Sequence, residues 1–301
     1  MKKNKSRNRT ETEKMTGREK DEVDLHAVQQ IGLQILSVVA EILNRNNISW
    51  FLAYGSCLGA VRHGGFIPWD DDIDIGMLRE DYERARSILQ KELPKGFTYC
   101  DRFNEKDFPY NFAKVRKDGT IYSAAEDMHL NIHHGIGIDI FPFDSCPNDP
   151  KVFKKVYRVS KMYRLESDLA HMNYRKGKVI RPFWQLPLIH FAHLFFDTKY
   201  LQDKLDQCIT AEPVGGNTDA VCSWLGDYAD GAKAKREWLT PTVRIQFEGM
   251  SMPVPRDYDA YLTALYGDYM IPPPESERRP RHKPQMVVLP DCEDKLTERN
   301  E

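Results

Sequence analysis

The sequence predicts an α+β domain: a β-sheet core flanked by helices, with a helical C-terminal portion. Three observations predict it. Ile73, Ile75 and Met77 alternate with Asp72, Asp74 and Gly76, the two-residue period of a half-buried strand. A second strand signal, Ile136 to Asp144, is apolar except for Asp139, which stands between Ile138 and Ile140. Apolar residues then recur at helical spacing, at Leu25, Val28, Ile31, Ile35, Val38, Val39 and Ile42, and again at Val152, Val156, Val159, Met162 and Leu165.

Bulk properties set limits. The chain has 301 residues, enough for one large domain or two small ones. Lys and Arg number 43 and Asp and Glu 45, a formal net charge of -2, which gives no reason to expect nucleic acid as a partner. The six cysteines are scattered without a C-x-x-C pair, which argues against a zinc site. The basic N-terminus is not followed by an apolar signal core, so free thiols in a reducing cytoplasm are expected. No run reaches the roughly 18 apolar residues that spanning a bilayer requires. The nearest, Pro182–Phe196, is interrupted by prolines and histidines. It reads as a buried helix, with a helix lying in the membrane interface as the alternative.

Taken in order, residues 1–22 are polar and charged and read as a disordered tail. The first helix starts with Asp24 as N-cap and ends at Asn44–Asn47. Ile48–Tyr54 is a strand, and Gly55-Ser56 opens a short helix ending near Arg62. His63-Gly64-Gly65 turns the chain toward the acidic strand. Arg79–Leu89 is a helix with Tyr82, Ala85 and Leu89 on its inner side, and Phe97–Arg102 a weak strand. Phe112–Arg116 alternates, and Ile121–Ala124 is expected to pair back on it across the Lys117–Thr120 turn. Asp144, beyond Pro142, reads as a turn or cap residue. Lys151–His171 and Phe183–Ile209 are helical, with polar linkers at Asn173–Val179 and Glu212–Asp219. Val243–Phe247 and Met252–Val254 form a hairpin, and Asp257–Tyr266 a helix stopped by Gly267. The whole reads as one domain over 23–285, with its sheet core at about 23–148, a helical and C-terminal portion at about 149–285, and a tail at 286–301.

The chemistry concentrates in residues 54–76. Four aspartates stand within five positions, Asp70, Asp71, Asp72 and Asp74. On a strand Asp70, Asp72 and Asp74 share one face, and Asp71 points the other way with Ile73 and Ile75. Stacked carboxylates beside a buried face suit a hard divalent cation; an acidic turn without metal is the alternative. Asp139 needs a partner if buried, and the same site would supply one. A strand followed by Gly55-Ser56 and a helix start aims backbone N–H groups and a hydroxyl at a phosphate. Lys114 and Arg116, on one face of their strand, suit phosphate or an acidic group, or form an ordinary surface strand. Arg278, Arg279, Arg281, His282 and Lys283 form a basic cluster that is either solvated or closes over a phosphorylated substrate.

The run from Leu52 through Tyr54-Gly55-Ser56, Arg62-His63-Gly64-Gly65 and Trp69-Asp70-Asp71-Asp72-Ile73-Asp74 resembles the nucleotidyltransferase fold, and more narrowly the LicD family of phosphotransferases, distantly related to fukutin-type proteins. Ala113-Lys114-Val115-Arg116, Ile138-Asp139-Ile140-Phe141-Pro142 and Tyr266-Gly267 to Pro274 continue the resemblance over roughly 25–285. It implies a nucleotidyltransferase-like mixed β-sheet. Asp72, Asp74 and Asp139 would be catalytic metal ligands for Mg²⁺ or Mn²⁺, with Asp70 a further candidate. Gly55 and Ser56 would hold donor phosphate, with Arg62, His63, Lys114 and Arg116 as donor or acceptor contacts, and Tyr54, Trp69, Arg281 and His282 as further substrate contacts. The implied reaction transfers a phospho-alcohol group, phosphocholine from CDP-choline first among them, to a hydroxyl of a cell-surface glycan or lipid-linked glycan precursor, releasing CMP. Alternatives are a nucleotidyltransferase releasing pyrophosphate and a non-catalytic nucleotide- or glycan-binding protein. A lipid-linked acceptor would place the protein in the cytoplasm, at the inner face of the membrane.

Overall fold

The computed structural model describes residues 24–124, 127–171, 187, 197–211, 218–225, 233–280, 282, 284 and 286–289. The expected N-terminal tail, most of the 182–196 stretch, and Arg281 and Lys283 lie outside these residues.

Helix α1 (Leu25–Arg45) begins where expected: the Asp24 carboxylate accepts from Ala27 N–H at 3.0 Å. By length and composition α1 could cross a membrane. Its apolar stripe instead lies in the core, with Ile35, Leu36, Val39 and Leu43 fully buried, which marks it as a core helix. Strand β1 covers only Phe51–Leu52, followed by α2 (Tyr54–His63), β2 (Asp74–Leu78) and α3 (Arg79–Glu92). Tyr82, Ala85 and Leu89 are the buried residues of α3, as its spacing predicts. Next come β3 (Phe97–Cys100), β4 (Ala113–Lys117), β5 (Ile121–Ser123) and β6 (Gly137–Ser145).

The main sheet runs β1-β2-β6-β4-β3, with β7 (Ala220–Cys222) on the far end of β6 and β8 (Ala234–Lys235) beyond it. It is mixed: β2 and β6 are parallel, and β4 is antiparallel to β6. Register sorts the side chains. Ile75, Ile140 and Ala113 lie side by side across β2, β6 and β4, all buried. One position back, Asp74, Asp139 and Lys114 form the adjacent row. Successive residues of a strand face opposite sides, so the first row feeds the core and the second faces away from it.

An aromatic cluster covers the sheet beyond the acidic row. Phe51, Tyr54, Phe141 and Phe143 pack with Tyr261 of the helix Tyr258–Tyr266, with ring centroids 5.2 to 6.5 Å apart. Gly76 lies between the rings: a Cβ there would stand 2.6 Å from Phe51 and 2.7 Å from Phe143. Gly76→Ala is therefore expected to lose about 1–3 kcal/mol by overpacking, read in urea unfolding as a lower midpoint at unchanged slope.

Several expectations are corrected. Ile121–Ser123 does not pair back on β4, because β3 and β6 already occupy both edges of that strand. It pairs with β11 (Met286–Val288), so the expected C-terminal tail contributes a strand. Asp144 is a buried residue of β6, not a turn residue; Arg79 binds both its oxygens at 2.7 and 2.8 Å. On α4 (Pro150–His171), Met162 and Leu165 are exposed, while Phe153, Val156, Tyr157 and Tyr163 meet the core. The next described helix is α5 (Thr198–Thr210). The hairpin of β9 (Val243–Phe247) and β10 (Met250–Val254) and the helix capped by Asp257 form where expected.

Candidate active site

The site grows from the polar row of the sheet. Asp74 and Asp139 are register neighbours on adjacent parallel strands. From the other side of β6, Lys114 Nζ lies 2.6 and 2.9 Å from the two Asp139 carboxylate oxygens. The ammonium stands where a cation shared with the aspartates would be attracted.

The turn ahead of β2 brings the remaining acids. Strand geometry begins only at Asp74, so Asp70, Asp71 and Asp72 sit on irregular chain rather than alternating along a strand. Asp71 consequently does not point away from the group: one oxygen from each of Asp70, Asp71 and Asp72 lies within 4.8 Å of the others. Three anchors fix this turn. Gln29 of α1 donates to the Asp70 carbonyl at 2.8 Å. Ser56 Oγ accepts from Asp74 N–H at 2.8 Å. Ala53 N–H donates to the Asp74 carbonyl at 2.9 Å.

The Gly-Ser element serves this packing. Gly55 lies in the first turn of α2, where a Cβ would come 2.9 Å from Asp70 Oδ2, so glycine lets that carboxylate approach. Ser56 is buried, with its oxygen on Asp74. Tyr54 opens the helix at φ 46°, a left-handed conformation costing about 1–3 kcal/mol for a bulky residue. Its N–H donates to the Tyr261 hydroxyl at 3.3 Å.

The acids disturb one another. Burial first, then the Asp72 charge, pushes the Asp70 carboxyl up to about 8. Burial and the charges of Asp72, Asp139 and Asp70 hold Asp74 well above the carboxylate range, with Lys114 opposing. Burial also raises Asp72, although His282 pulls it down. Asp71 goes the other way: burial is outweighed by hydrogen bonds from His282 and Tyr122. Hard oxygen donors that cannot all ionise beside one another are suited to a divalent cation such as Mg²⁺ or Mn²⁺, which would neutralise them. Among the described residues, the group whose oxygens lie close enough to share such an ion is Asp70, Asp71 and Asp72, with Asp74 and Asp139 on the adjoining strands.

Beside the acids is a pocket lined by Lys114, Arg116, Tyr110, Tyr122, Asp127 and the Gly135–Gly137 backbone, with His282 at its edge. Arg116 is only 7% exposed; it donates to the His133 carbonyl, and its Nε is buried with no hydrogen-bond partner. Among the described residues no carboxylate forms an ion pair with it. A buried guanidinium in that state favours an anion at the pocket. Sequence reasoning missed Tyr110, Tyr122 and Asp127, whose places depend on how distant segments meet. Arg62 and His63 do not line this pocket. They end α2, where Arg62 donates to the Tyr269 carbonyl at 2.7 Å. Trp69 lies under the Arg278 guanidinium, 5.6 Å from the ring centroid.

With this geometry in view, residues 47–191 match the family model for LicD/FKTN/FKRP, nucleotidyltransferase domain. The chain is 28% identical over 270 residues to lipopolysaccharide cholinephosphotransferase LicD of Haemophilus influenzae, covering 88% of this chain and 98% of that protein. It is 30% identical over 110 residues to ribitol 5-phosphate transferase FKRP of Homo sapiens, covering 35% of this chain and 19% of that protein. An uncharacterized protein of Rickettsia prowazekii is 43% identical over 65 residues, 22% of this chain and 24% of that protein. The matched segment encloses the Ser56 helix start, Asp72, Asp74, Lys114 and Asp139, and over residues 47–191 the chain is similar to the LicD-type nucleotidyltransferase domain.

Proposed function

We propose that this chain is a phosphotransferase that moves a phospho-alcohol group from a CDP-activated donor, CDP-choline first among candidates, to a hydroxyl of a glycan or lipid-linked glycan precursor, releasing CMP. The observation that carries the reading is the row Asp74, Asp139 and Lys114 across three strands, with Asp72 at one end and the buried Arg116 beside it. Asp72 and Asp139 line one pocket with Lys114 and Arg116, acids for a cation beside bases for a phosphate, and Asp74 adjoins them in the sheet. The similarity to LicD over most of both chains supports the phospho-alcohol class.

In this reading Asp72, Asp74 and Asp139 would hold a divalent cation, and the chemistry it would supply is neutralisation of charge on the donor phosphates and the leaving nucleotide. Lys114 and Arg116 hold phosphate oxygens, and Gly55 gives Asp70 room beside the ligands. Asp139 would accept the proton of the attacking hydroxyl at a carboxylate oxygen released when Lys114, now 2.6 and 2.9 Å from its two oxygens, turns to the donor phosphate. The reaction belongs in the cytoplasm, at the inner membrane face where a lipid-linked acceptor would be presented.

The test is incubation of the protein with Mg²⁺, cell-envelope glycan and a panel of CDP-choline, CDP-ribitol and CDP-glycerol, following CMP by chromatography. Glycan-dependent CMP is expected from wild type. Asp72→Asn is expected to lower it by about a thousandfold, several kcal/mol of transition-state stabilisation. Pyrophosphate as the product would assign nucleotidyl transfer instead. No product from any donor, with no Mg²⁺ or CDP binding by calorimetry, would overturn the reading.

A further inference from the structure

We propose that Asp71 is not a metal ligand but the post to which a C-terminal strap, the strand Met286–Val288 together with His282, is tied, and that Tyr122 and His282 are positioning residues that hold the acid turn through it. Of the three consecutive acids, Asp71 is the most enclosed, its side chain 0% exposed against 26% for Asp72. Its two oxygens are committed to different segments. The Tyr122 hydroxyl of β5 donates to Oδ2, and His282 Nδ1 lies 3.2 Å from Oδ1. With both oxygens already engaged by protein groups, Asp71 lines the pocket beside Asp72 but has less to offer an ion than Asp72 does. Asp72 and Asp74 lack this enclosure by protein donors.

The backbone gives a second, independent tie. Met286, Val287 and Val288 pair antiparallel with Ser123, Tyr122 and Ile121. Tyr122 thus carries the strap on its backbone and grips Asp71 with its side chain. The two strands form a sheet separate from the main one. A two-stranded ribbon by itself is marginal in water, so its position depends on side-chain ties of this kind. The strap reaches the pocket: His282 and Pro284 line it, and His282 Nδ1 is 3.7 Å from Asp72 Oδ2. Fixing the strap therefore limits where the Asp72 carboxylate can turn.

The experiment compares full-length wild type, Asp71→Ala, Asp71→Asn and Asp74→Asn by hydrogen–deuterium exchange of the peptide covering 286–289 and by Mn²⁺ titration calorimetry. Asp71→Ala should speed exchange of that peptide about tenfold, the loss of one strong tie. It should weaken Mn²⁺ about tenfold at unchanged stoichiometry, the usual effect of removing a group that orients a ligand. Asp71→Asn, which still accepts from Tyr122, should recover most of the protection. Asp74→Asn should bind no Mn²⁺ yet protect the strap as wild type does. Unchanged exchange in Asp71→Ala overturns the proposal. So does loss of all Mn²⁺ binding in Asp71→Ala with the strap still protected, since Asp71 would then be a ligand. The metal arm rests on the function proposed above: if wild type binds no Mn²⁺, that reading fails, and exchange alone decides the tie. Should Asp71→Ala not fold, Tyr122→Phe, which removes one hydrogen bond and leaves no cavity, takes the same exchange test with the same deciding outcomes.

Discussion

Asp74→Asn is expected to leave a protein more stable without metal and about a thousandfold less active with it. The two effects share one cause. Asp74 stands among Asp70, Asp72 and Asp139, whose charges all oppose its own. The amide keeps the volume and removes one of these charges, so metal-free protein should gain about 1 kcal/mol or more, a rise of about 2–4 °C in Tm for a domain of this size. The same change removes a hard oxygen ligand. Wild type should be stabilised by Mg²⁺ through mass action, by an amount growing with the logarithm of its concentration. The variant should not respond. Turnover should fall by the several kcal/mol that metal stabilisation of the developing charge supplies. Thermal melts with and without Mg²⁺, read beside CMP release, check both halves. A variant destabilised without metal, or one still stabilised by Mg²⁺, would show that Asp74 has a structural role here and not a ligand's.

Asp144→Ala is expected to be the most destabilising single change near the site, although it touches no substrate group. Asp144 is 2% exposed and holds the Arg79 guanidinium at 2.7 and 2.8 Å. Removing one partner leaves the other charge in a poorly solvated place, which costs about 3–5 kcal/mol. That corresponds to a fall of about 10 °C in Tm. The double variant Arg79→Met with Asp144→Leu should recover most of the loss, because paired apolar replacements leave no uncompensated charge. By contrast, Arg45→Ala breaks the pair with Glu92, whose side chains are 49% and 29% exposed, and should cost less than about 1 kcal/mol. Equal effects of the two single variants would mean that the Arg79 pair is as well hydrated as the surface one.

Local pattern determined much of this molecule. Alternation of isoleucine with aspartate placed a half-buried strand at Asp74–Leu78, and the apolar frame of Asp139 placed a second at Gly137–Ser145. Helical spacing marked the inner face of α1 and the residues Tyr82, Ala85 and Leu89. These features are legible because burial on one side of a helix or strand leaves a fixed period in the chain. The extent of strand β2 was less legible: strand period was read back to Asp70, but pairing starts at Asp74, since hydrogen-bonding partners and not alternation decide where a strand begins.

Which distant groups meet depends on strand order and register. Asp74, Asp139 and Lys114 form one row because β2, β6 and β4 lie side by side in that register. Asp144, beyond Pro142, has the local pattern of a turn residue, but Arg79 from the start of α3 neutralises it within β6. The segment after Thr120 looked like the return strand of a hairpin. It pairs with Met286–Val288 because both edges of β4 were taken by β3 and β6. The acid cluster, the helix start at Gly55-Ser56 and the α+β class are legible from short-range pattern. The meeting of Asp71 with Tyr122 and His282, 51 and 211 residues away, leaves no periodic trace in the chain and was decided by tertiary pairing alone.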